Sequence, residues 1–182
     1  MLIFIIVVSL SAIIILLFNR FVRYRFLVRE ALSGIDVQLK RRHDLIPNIV
    51  EAVKGYTQYE RKTLEDITNI RASLLKATTV KEKSEKENKL SGVFKSIFAL
   101  AENYPDLKAS KTFLELQKNL VEAEDQIQLA RRYYNGTVRN YNILVESFPN
   151  NILAAIFNFR PEDFFEIEYA TERAVPDVKF GS

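Results

Sequence analysis

The sequence predicts an all-α protein in which an N-terminal transmembrane helix is followed by an antiparallel, up-down four-helix bundle. Three observations lead to this prediction. Residues 2–18 form an uncharged, apolar run. The rest of the 182-residue chain repeats apolar residues at alternating spacings of three and four, as helices packed in bundles and coiled coils do. Only five glycines and five prolines interrupt that repeat, and most lie at predicted helix ends.

The apolar run predicts a permanent membrane anchor. As a helix rising ~1.5 Å per residue it covers roughly 25 Å, which reaches across the hydrocarbon core of a bilayer. A cleaved signal peptide would need basic residues before the run and small residues at a cleavage site, and a buried helix would need protein on every side. The residues expected to span the membrane are Leu2, Ile3, Phe4, Ile5, Ile6, Val7, Val8, Leu10, Ile13, Ile14, Ile15, Leu16, Leu17 and Phe18.

A basic membrane flank follows the anchor, formed by Arg20, Arg23, Arg25 and Arg29. The chain carries a net charge of +3, yet residues 20–42 alone hold seven basic and two acidic groups. Because basic flanks stay on the cytoplasmic side, we expect the N-terminus outside and the bundle in the cytoplasm of a single-pass protein of the inner (cytoplasmic) membrane. The flank should also attract anionic lipid. The lack of cysteine excludes disulfides and thiolate sites.

The first bundle helix is predicted to continue from the anchor to Gly55, with a kink at Pro47 instead of a break. One continuous helix over residues 28–77 is the alternative, and the lengths of the helices favour a turn at Gly55. Its expected buried positions are Val28, Leu32, Ile35, Leu39, Arg42, Ile46, Ile49, Val53 and Tyr56.

Capping boxes and prolines delimit the remaining helices. Thr57 with Glu60 opens the second helix, and Thr79 with Glu82 opens the third. Pro105 and Pro149 end the third and fourth helices. The charged residues 81–89 are expected to be solvated or frayed. The third helix is expected to bury Leu90, Val93, Ile97, Leu100 and Tyr104, and the fourth Phe113, Leu116, Leu120, Ala123, Ile127, Ala130, Tyr134, Thr137, Tyr141, Leu144 and Phe148.

An apolar segment of residues 149–180 follows the bundle. Its apolar run, residues 150–159, is too short to span a bilayer, so this run either packs on the lower end of the bundle or lies at the membrane interface. The chain therefore divides into an anchor with its flank (1–24), a bundle (25–148) and this segment, while Gly181-Ser182 resembles a cloning scar. The candidate interfacial residues are Ile152, Leu153, Ile156, Phe157 and Phe159.

The sequence does not predict an enzyme, and no catalytic, metal-ligating or cofactor-binding residue is expected. His43 is the only histidine, so a di-iron bundle with Glu-x-x-His pairs and a hydrolase triad are both excluded. A hydrogen-bonded or solvated His43 is expected, with a pH switch as the alternative. The glycines are isolated, so no phosphate-binding loop is present.

Charged and polar clusters are interpreted as structural. The acidic cluster of Glu122, Glu124 and Asp125 is expected to form ion pairs with Arg41, Arg42 or Arg131 instead of binding a metal. The side chains of residues 40–43 point in different directions around the helix axis, so they form no single basic face and nucleic-acid binding is not expected. The polar-aromatic stretch of the fourth helix is expected to form buried hydrogen bonds, with a partner-binding surface as the alternative; it comprises Tyr133, Tyr134, Asn135, Asn140, Tyr141 and Asn142.

Residues 35–56, with the sequence IDVQLKRRHDLIPNIVEAVKGY, resemble the leading signature of the LemA family. Further similar segments are YPDLKA at 104–109, FLELQ at 113–117, ARRYYN at 130–135 and VRNYN at 138–142. The resemblance implies one N-terminal anchor, an antiparallel four-helix bundle and an N-outside topology. It carries no catalytic residue, and one branch of the family is MamQ-like and belongs to magnetosome membranes.

Two functions follow as expectations. The first is a structural or scaffolding protein whose partners are membrane lipid and either copies of itself or another membrane-associated protein. The second is a lipid-binding or membrane-remodelling protein, since the arginine flank and the apolar segment could both contact a bilayer.

Overall fold

The structure, a computed structural model, describes residues 1–54, 61–74 and 77–165, without the side chains of residues 61–64 and 71. All regular structure in those ranges is helical, which confirms the all-α prediction. The helices are α1 (Leu2–Lys54), α2 (Arg61–Leu74), α3 (Val80–Ala101), α4 (Pro105–Ala109), α5 (Lys111–Glu146) and α6 (Asn150–Ile156). The predicted turn at Gly55, the Thr57–Glu60 capping box, Tyr56 and the tail from residue 166 to Ser182 lie outside the described residues.

The helix α1 runs without interruption through the predicted anchor, the arginine flank and the first predicted bundle helix. Pro47 lies inside it, so the proline does not break the helix, and the kink remains a prediction. Two compact units can be distinguished, Met1–Leu45 with Glu115–Phe164 and Ile46–Leu114 with the rest of the chain. The domain boundaries inferred from the sequence remain predictions.

In the first unit, α1 and α5 run antiparallel. Arg42 pairs with Glu124, whereas Arg25, which is earlier in α1, acts electrostatically on Tyr141, which is later in α5. Both helices bury one apolar stripe. The buried positions of α1 include the predicted Val28, Ile35, Leu39 and Arg42, whereas the predicted Leu32 is half-buried and Ala31 is buried in its place.

The predicted stripe of α5 needs three corrections. Arg131 is buried instead of Ala130, Val138 instead of Thr137, and Phe148 is 81% exposed. A real α-helix has 3.6 residues per turn, so its face drifts by roughly 20° per heptad from the strict 3.5 repeat used for the prediction. The buried stripe therefore moves to the next residue at positions 131 and 138, whereas Phe148 is exposed because α5 has already ended at Glu146.

In the second unit, α2 and α3 pack against each other as an αα-hairpin. The predicted cap of α3 is confirmed, because Thr79 Oγ1 accepts a hydrogen bond from the Glu82 amide at 3.1 Å. Glu82 Oε2 in turn accepts from the Thr78 amide at 3.1 Å, and that hydrogen bond is the main reason why the pKa of Glu82 is lowered. Lys86 Nζ donates to the carbonyl of Ser73 at 3.0 Å.

The expectation that residues 81–89 are solvated or frayed is correct only in part, since Lys81, Glu82, Glu85 and Lys89 are exposed. The segment is regular helix, and its Ser84 and Glu87 are buried. The cap at Thr79 satisfies the first turn, and packing on α2 covers one face of the charged segment. The buried stripe of α3 continues through Leu90, Phe94, Ile97 and Ala101, while Val93, Leu100 and Tyr104 are only partly buried.

The boundary predicted at Pro105 is also confirmed, with one addition. The helix α3 ends at Ala101, and Tyr104 has a non-helical backbone (φ −125°, ψ 89°). Pro105 then begins the short helix α4, which suits a residue without an amide hydrogen. Ser110 is extended and separates α4 from α5, so the fourth predicted helix is divided near its start.

Candidate membrane-proximal site

Within the described ranges, one helix, α1, is long and apolar enough to cross a membrane. Its most apolar window of 18 residues has a mean hydropathy of 2.9, and none of that window is buried. Of the predicted span residues, Ile14 and Leu17 are half-buried and the others are exposed. An apolar helix exposed over this length fits a membrane anchor, since exposing so much apolar surface to water is unfavourable.

The four arginines of the flank divide between opposite faces of α1. At roughly 100° per residue, Arg20 and Arg23 lie on one face and Arg25 and Arg29 on another, directed about 180° away. Burial, followed by the charge of Glu162, raises the pKa of Tyr141 on α5, and Arg25 and Arg29 oppose part of that rise. The Arg20 and Arg29 guanidiniums lie 5.9 Å and 5.7 Å from the ring centroids of Tyr24 and Phe26.

An aromatic cluster joins the end of the span to the segment after α5. The Phe21 ring stacks on the Phe159 ring at 4.9 Å between centroids, with an interplanar angle of 15°. Phe18 meets Phe157 at 5.0 Å and Phe159 at 5.7 Å, both edge to face. Phe21 is fully buried and Phe159 nearly so. Residues 157–159 are therefore held where the span meets the arginine flank.

A left-handed residue at the end of α6 directs the chain into this cluster. Asn158 has φ 56°, which asparagine tolerates better than most residues. The Phe159 amide donates to the Ala154 carbonyl at 2.9 Å, and the Asn158 amide donates to the Ala155 carbonyl at 3.4 Å. This pair of hydrogen bonds is a Schellman motif, which ends the helix and turns Phe159 back toward α1.

A second attachment fastens residues 162–163 to α5. Asn142 Nδ2 donates to the Glu162 carbonyl at 2.9 Å, and Asn142 Oδ1 accepts from the Glu162 amide at 2.9 Å. The Tyr134 hydroxyl donates to the Asp163 carbonyl at 2.9 Å. The polar-aromatic stretch therefore forms hydrogen bonds with the C-terminal segment. The expectation that they are buried is met only in part, since the bond of Tyr134 is partly buried and those of Asn142 are exposed. Tyr133 is exposed.

The candidate interfacial residues divide into a buried and an exposed set. Phe159 packs in the aromatic cluster, and Leu153 is half-buried. Ile152, Ile156 and Phe157 are exposed, beside a span whose last residue, Phe18, contacts Phe157. The two sequence-based alternatives for this segment are therefore compatible, since one face is packed on protein while the other remains open and apolar.

Burial of Tyr134, reinforced by the charges of Glu162 and Asp163, raises the pKa of its phenol to about 12. In the unfolded chain the phenol of a tyrosine has a pKa of ~10, so the folded form binds this proton more tightly. The contribution of Tyr134 to stability is therefore complete below pH ~10 and is lost as the pH rises toward 12. We expect wild type to lose more stability than Tyr134→Phe between pH 9 and 12, measured by urea unfolding in detergent; parallel pH profiles would contradict this assignment.

The predicted ion pairs of the acidic cluster are confirmed on the α1–α5 contact. Arg42 Nη1 lies 2.5 Å from Glu124 Oε2, with the arginine side chain fully buried and Glu124 33% exposed. Arg41 and Glu122 are 4.0 Å apart and about half exposed. His43 is half-buried. Over the described part of the chain, no three His, Cys, Asp or Glu side chains are grouped as metal ligands would be.

Sequence reasoning missed the contact between the span and the C-terminal segment. A local signal existed, since Asn158-Phe159 follows α6 and asparagine favours the left-handed position after a helix. The division of the arginines could also have been read from their spacing on a helical wheel. No local signal identifies Phe18 and Phe21 as the partners of Phe159, because that contact joins residues more than 130 positions apart in the chain.

Comparison with known proteins finds one family and several relatives that resemble this chain. A model of the LemA family matches residues 31–180. Protein LemA of Metamycoplasma hominis is 30% identical over 135 residues, covering 74% of this chain and 58% of that relative, so the chain spans little more than half of its length. Magnetosome protein MamQ 2 of Paramagnetospirillum magneticum is 24% identical over 186 residues, covering 88% of this chain and 68% of the relative.

Magnetosome protein MamQ of Magnetospirillum gryphiswaldense is 22% identical over 188 residues, covering 87% of this chain and 69% of the relative. None of these names indicates an enzyme. The family match begins in the same region as the signature of residues 35–56 and includes every other segment on which the resemblance rested. The resemblance is thereby confirmed, and the chain belongs to the LemA family.

Proposed function

We propose that this chain is a single-pass protein of the cytoplasmic membrane that holds a helical scaffold in the cytoplasm, beside the bilayer. The N-terminus lies outside, because every lysine and arginine of the chain follows the span. The helices after the span form an antiparallel four-helix bundle with coiled-coil-like packing. The antiparallel α1–α5 pair and the α2–α3 hairpin, each in its own unit, support that arrangement.

The scaffolding role rests on an open apolar row along α5. Val121, Leu129, Tyr133 and Ile143 are each more than half exposed. At roughly 100° per residue they lie on the side of α5 opposite to its buried stripe. Asp125, Arg132 and Arg139 are exposed on the same side, so a partner bound there would meet apolar and charged groups together, as partners do at many protein interfaces. A second copy of this chain is the partner we propose. The protein is not an enzyme and binds no nucleic acid.

Crosslinking in native membranes tests this self-association. The chain has no cysteine, so a thiol introduced at Leu129 is unique. We expect Leu129→Cys to give several-fold more disulfide-linked dimer than Lys40→Cys, an exposed position on α1. Adding Val121→Asp should reduce that dimer several-fold, whereas Ile152→Asp should leave it unchanged. Equal crosslinking at residues 129 and 40, or a strictly monomeric particle after gentle solubilisation, would refute the proposal.

A second candidate function, contact with and remodelling of the bilayer surface, is favoured by the exposed face of α6. Ile152, Ile156 and Phe157 are exposed, and the contact of Phe157 with Phe18, the last residue of the predicted span, supports a position of this face near the bilayer. A bilayer crossed by residues 2–18 would therefore meet α6 at its interface. Apolar side chains at that depth would enter the boundary between headgroups and acyl chains.

Reciprocal variants separate the two functions. Ile152→Asp with Ile156→Asp should weaken the insertion of α6 and any deformation of vesicles, because two charges would have to enter the interface. Val121→Asp with Leu129→Asp makes the same chemical change on α5 and should leave bilayer contact intact. The insertion is measured with a fluorophore attached to an introduced Asn151→Cys. Lipids that carry bromine near the headgroup quench its fluorescence when α6 enters the interface. Equal quenching in both double variants would end the second candidate.

A further inference from the structure

A basic groove follows one face of α1 immediately after the span. Its lining residues are spaced three, one, three, one and three apart, which keeps them on a single helical face. The groove has a volume of about 410 Å³, within the roughly 300–1,000 Å³ of small-ligand sites. It is lined by Leu16, Asn19, Arg20, Arg23, Tyr24 and Leu27.

The groove has the chemistry of an anion site. Arg20 and Arg23 are both exposed and supply guanidinium donors, and Asn19 and Tyr24 add an amide and a hydroxyl. The Arg20 guanidinium lies 5.9 Å from the Tyr24 ring centroid, a contact that favours one orientation of that side chain. No carboxylate lines the groove, and the first acidic residue in the sequence is Glu30. Phosphate, like carboxylate, presents oxygens that a guanidinium can bind through two parallel hydrogen bonds.

The position of the groove indicates where that phosphate comes from. Arg20 and Arg23 lie roughly 3–8 Å beyond Phe18 along the helix axis, at the depth of lipid phosphates if residues 2–18 cross the bilayer. Leu16 extends the same face toward the hydrocarbon. The aromatic contacts of Phe18 and Phe21 occupy the opposite face of α1, so the groove faces away from α6.

We propose that this groove binds the phosphate headgroup of an anionic phospholipid, with an acyl chain along Leu16. The assignment rests on the proposed function only in requiring that residues 2–18 cross a bilayer. A general attraction between positive charge and anionic lipid would involve the four flanking arginines equally, whereas a headgroup site in this groove distinguishes one pair from the other. Arg20 and Arg23 hold the headgroup, whereas Arg25 and Arg29 are exposed on the other side of α1 and do not line the groove.

The test measures lipid binding to the full chain purified in mild detergent. Native mass spectrometry follows a titration with phosphatidylglycerol and, separately, with phosphatidylcholine and with inorganic phosphate. At the ordinary contribution of a membrane-surface arginine, Arg20→Gln with Arg23→Gln should weaken phosphatidylglycerol binding by about 30-fold. Arg25→Gln with Arg29→Gln removes the same charge from the same flank and should change it by less than about threefold.

Each result decides the matter. Selective loss in the Arg20/Arg23 variant, with weaker binding of phosphatidylcholine to wild type, supports the site. An equal loss in both variants means general attraction of anionic lipid, and no loss in either means that the groove binds no headgroup; both overturn the proposal. If inorganic phosphate at the same concentration as the lipid displaces phosphatidylglycerol, the ligand of the groove is a soluble anion and the proposal is overturned. Carbonate extraction and Leu129→Cys crosslinking of the same variants report on the proposed function separately.

Discussion

Glu124→Leu is expected to lower the free energy of unfolding by about 3–5 kcal/mol. The substitution removes the carboxylate that lies 2.5 Å from the Arg42 guanidinium, while the arginine side chain stays fully buried. Breaking a buried pair from one side is costly because the remaining charge cannot regain its hydration. Urea unfolding followed by circular dichroism in detergent micelles measures the change.

Glu122→Leu is the matched control for this prediction. Glu122 lies on the same helix two residues earlier and faces Arg41, the neighbour of Arg42. That pair is 4.0 Å apart, with side chains 49% and 55% exposed, so water solvates both charges and its loss should cost less than about 1 kcal/mol. Similar losses for the two variants would show that burial does not set the strength of the Arg42 pair.

The double variant Arg42→Met with Glu124→Leu separates the cost of removing only the carboxylate from the value of the pair. Replacing a buried ion pair by apolar residues of similar volume is often neutral or stabilising, because neither charge needs to be desolvated. We expect the double variant to recover most of the stability that Glu124→Leu loses. A double variant less stable than the single one would show that the pair itself, with its hydrogen bonds, stabilises the α1–α5 contact.

The sequence predicted the burial of Arg42 and an acidic partner on the fourth helix, since the seam spacing places residue 42 among apolar positions. It could not identify Glu124 as the partner, because Glu122, Glu124 and Asp125 lie at different angles around α5. The choice among them depends on the axial register and rotation of two helices that are far apart in sequence. Register is set by the whole packed stripe, including Arg131 and Val138, where the strict heptad count was off by one residue.

Local features of the fold were predicted better than contacts between distant segments. The Thr79–Glu82 cap and the boundary before Pro105 depend on a few adjacent residues, so the sequence specifies them directly. The segment of residues 81–89 appears solvated from its charge alone, yet packing on α2 buries Ser84 and Glu87. Likewise the placement of Phe159 beside the span depends on tertiary contacts as well as on Asn158.

Phe21→Ala should release the C-terminal segment from the end of the span. Phe21 is fully buried and stacks on Phe159 at 4.9 Å, and truncating a buried phenylalanine typically costs about 3–5 kcal/mol. Part of that loss should appear locally, because the ring contacts of Phe157 and Phe159 with α1 would be reduced to those with Phe18. Hydrogen exchange measures the release, and we expect the amide of Phe159, now bonded to Ala154, to lose about 100-fold or more of its protection.

Phe148→Ala provides the matched control, since it removes the same ring from a position that is 81% exposed. Its effect on stability should stay within about 0.5 kcal/mol, and protection at Phe159 should not change. The amides that close the second attachment separate local release from global unfolding. If the Glu162 amide, bonded to Asn142, stays protected in Phe21→Ala while Phe159 exchanges, the aromatic cluster alone holds α6 beside the span. Equal loss at both amides would mean that the two attachments open together and that Phe21 stabilises the whole segment.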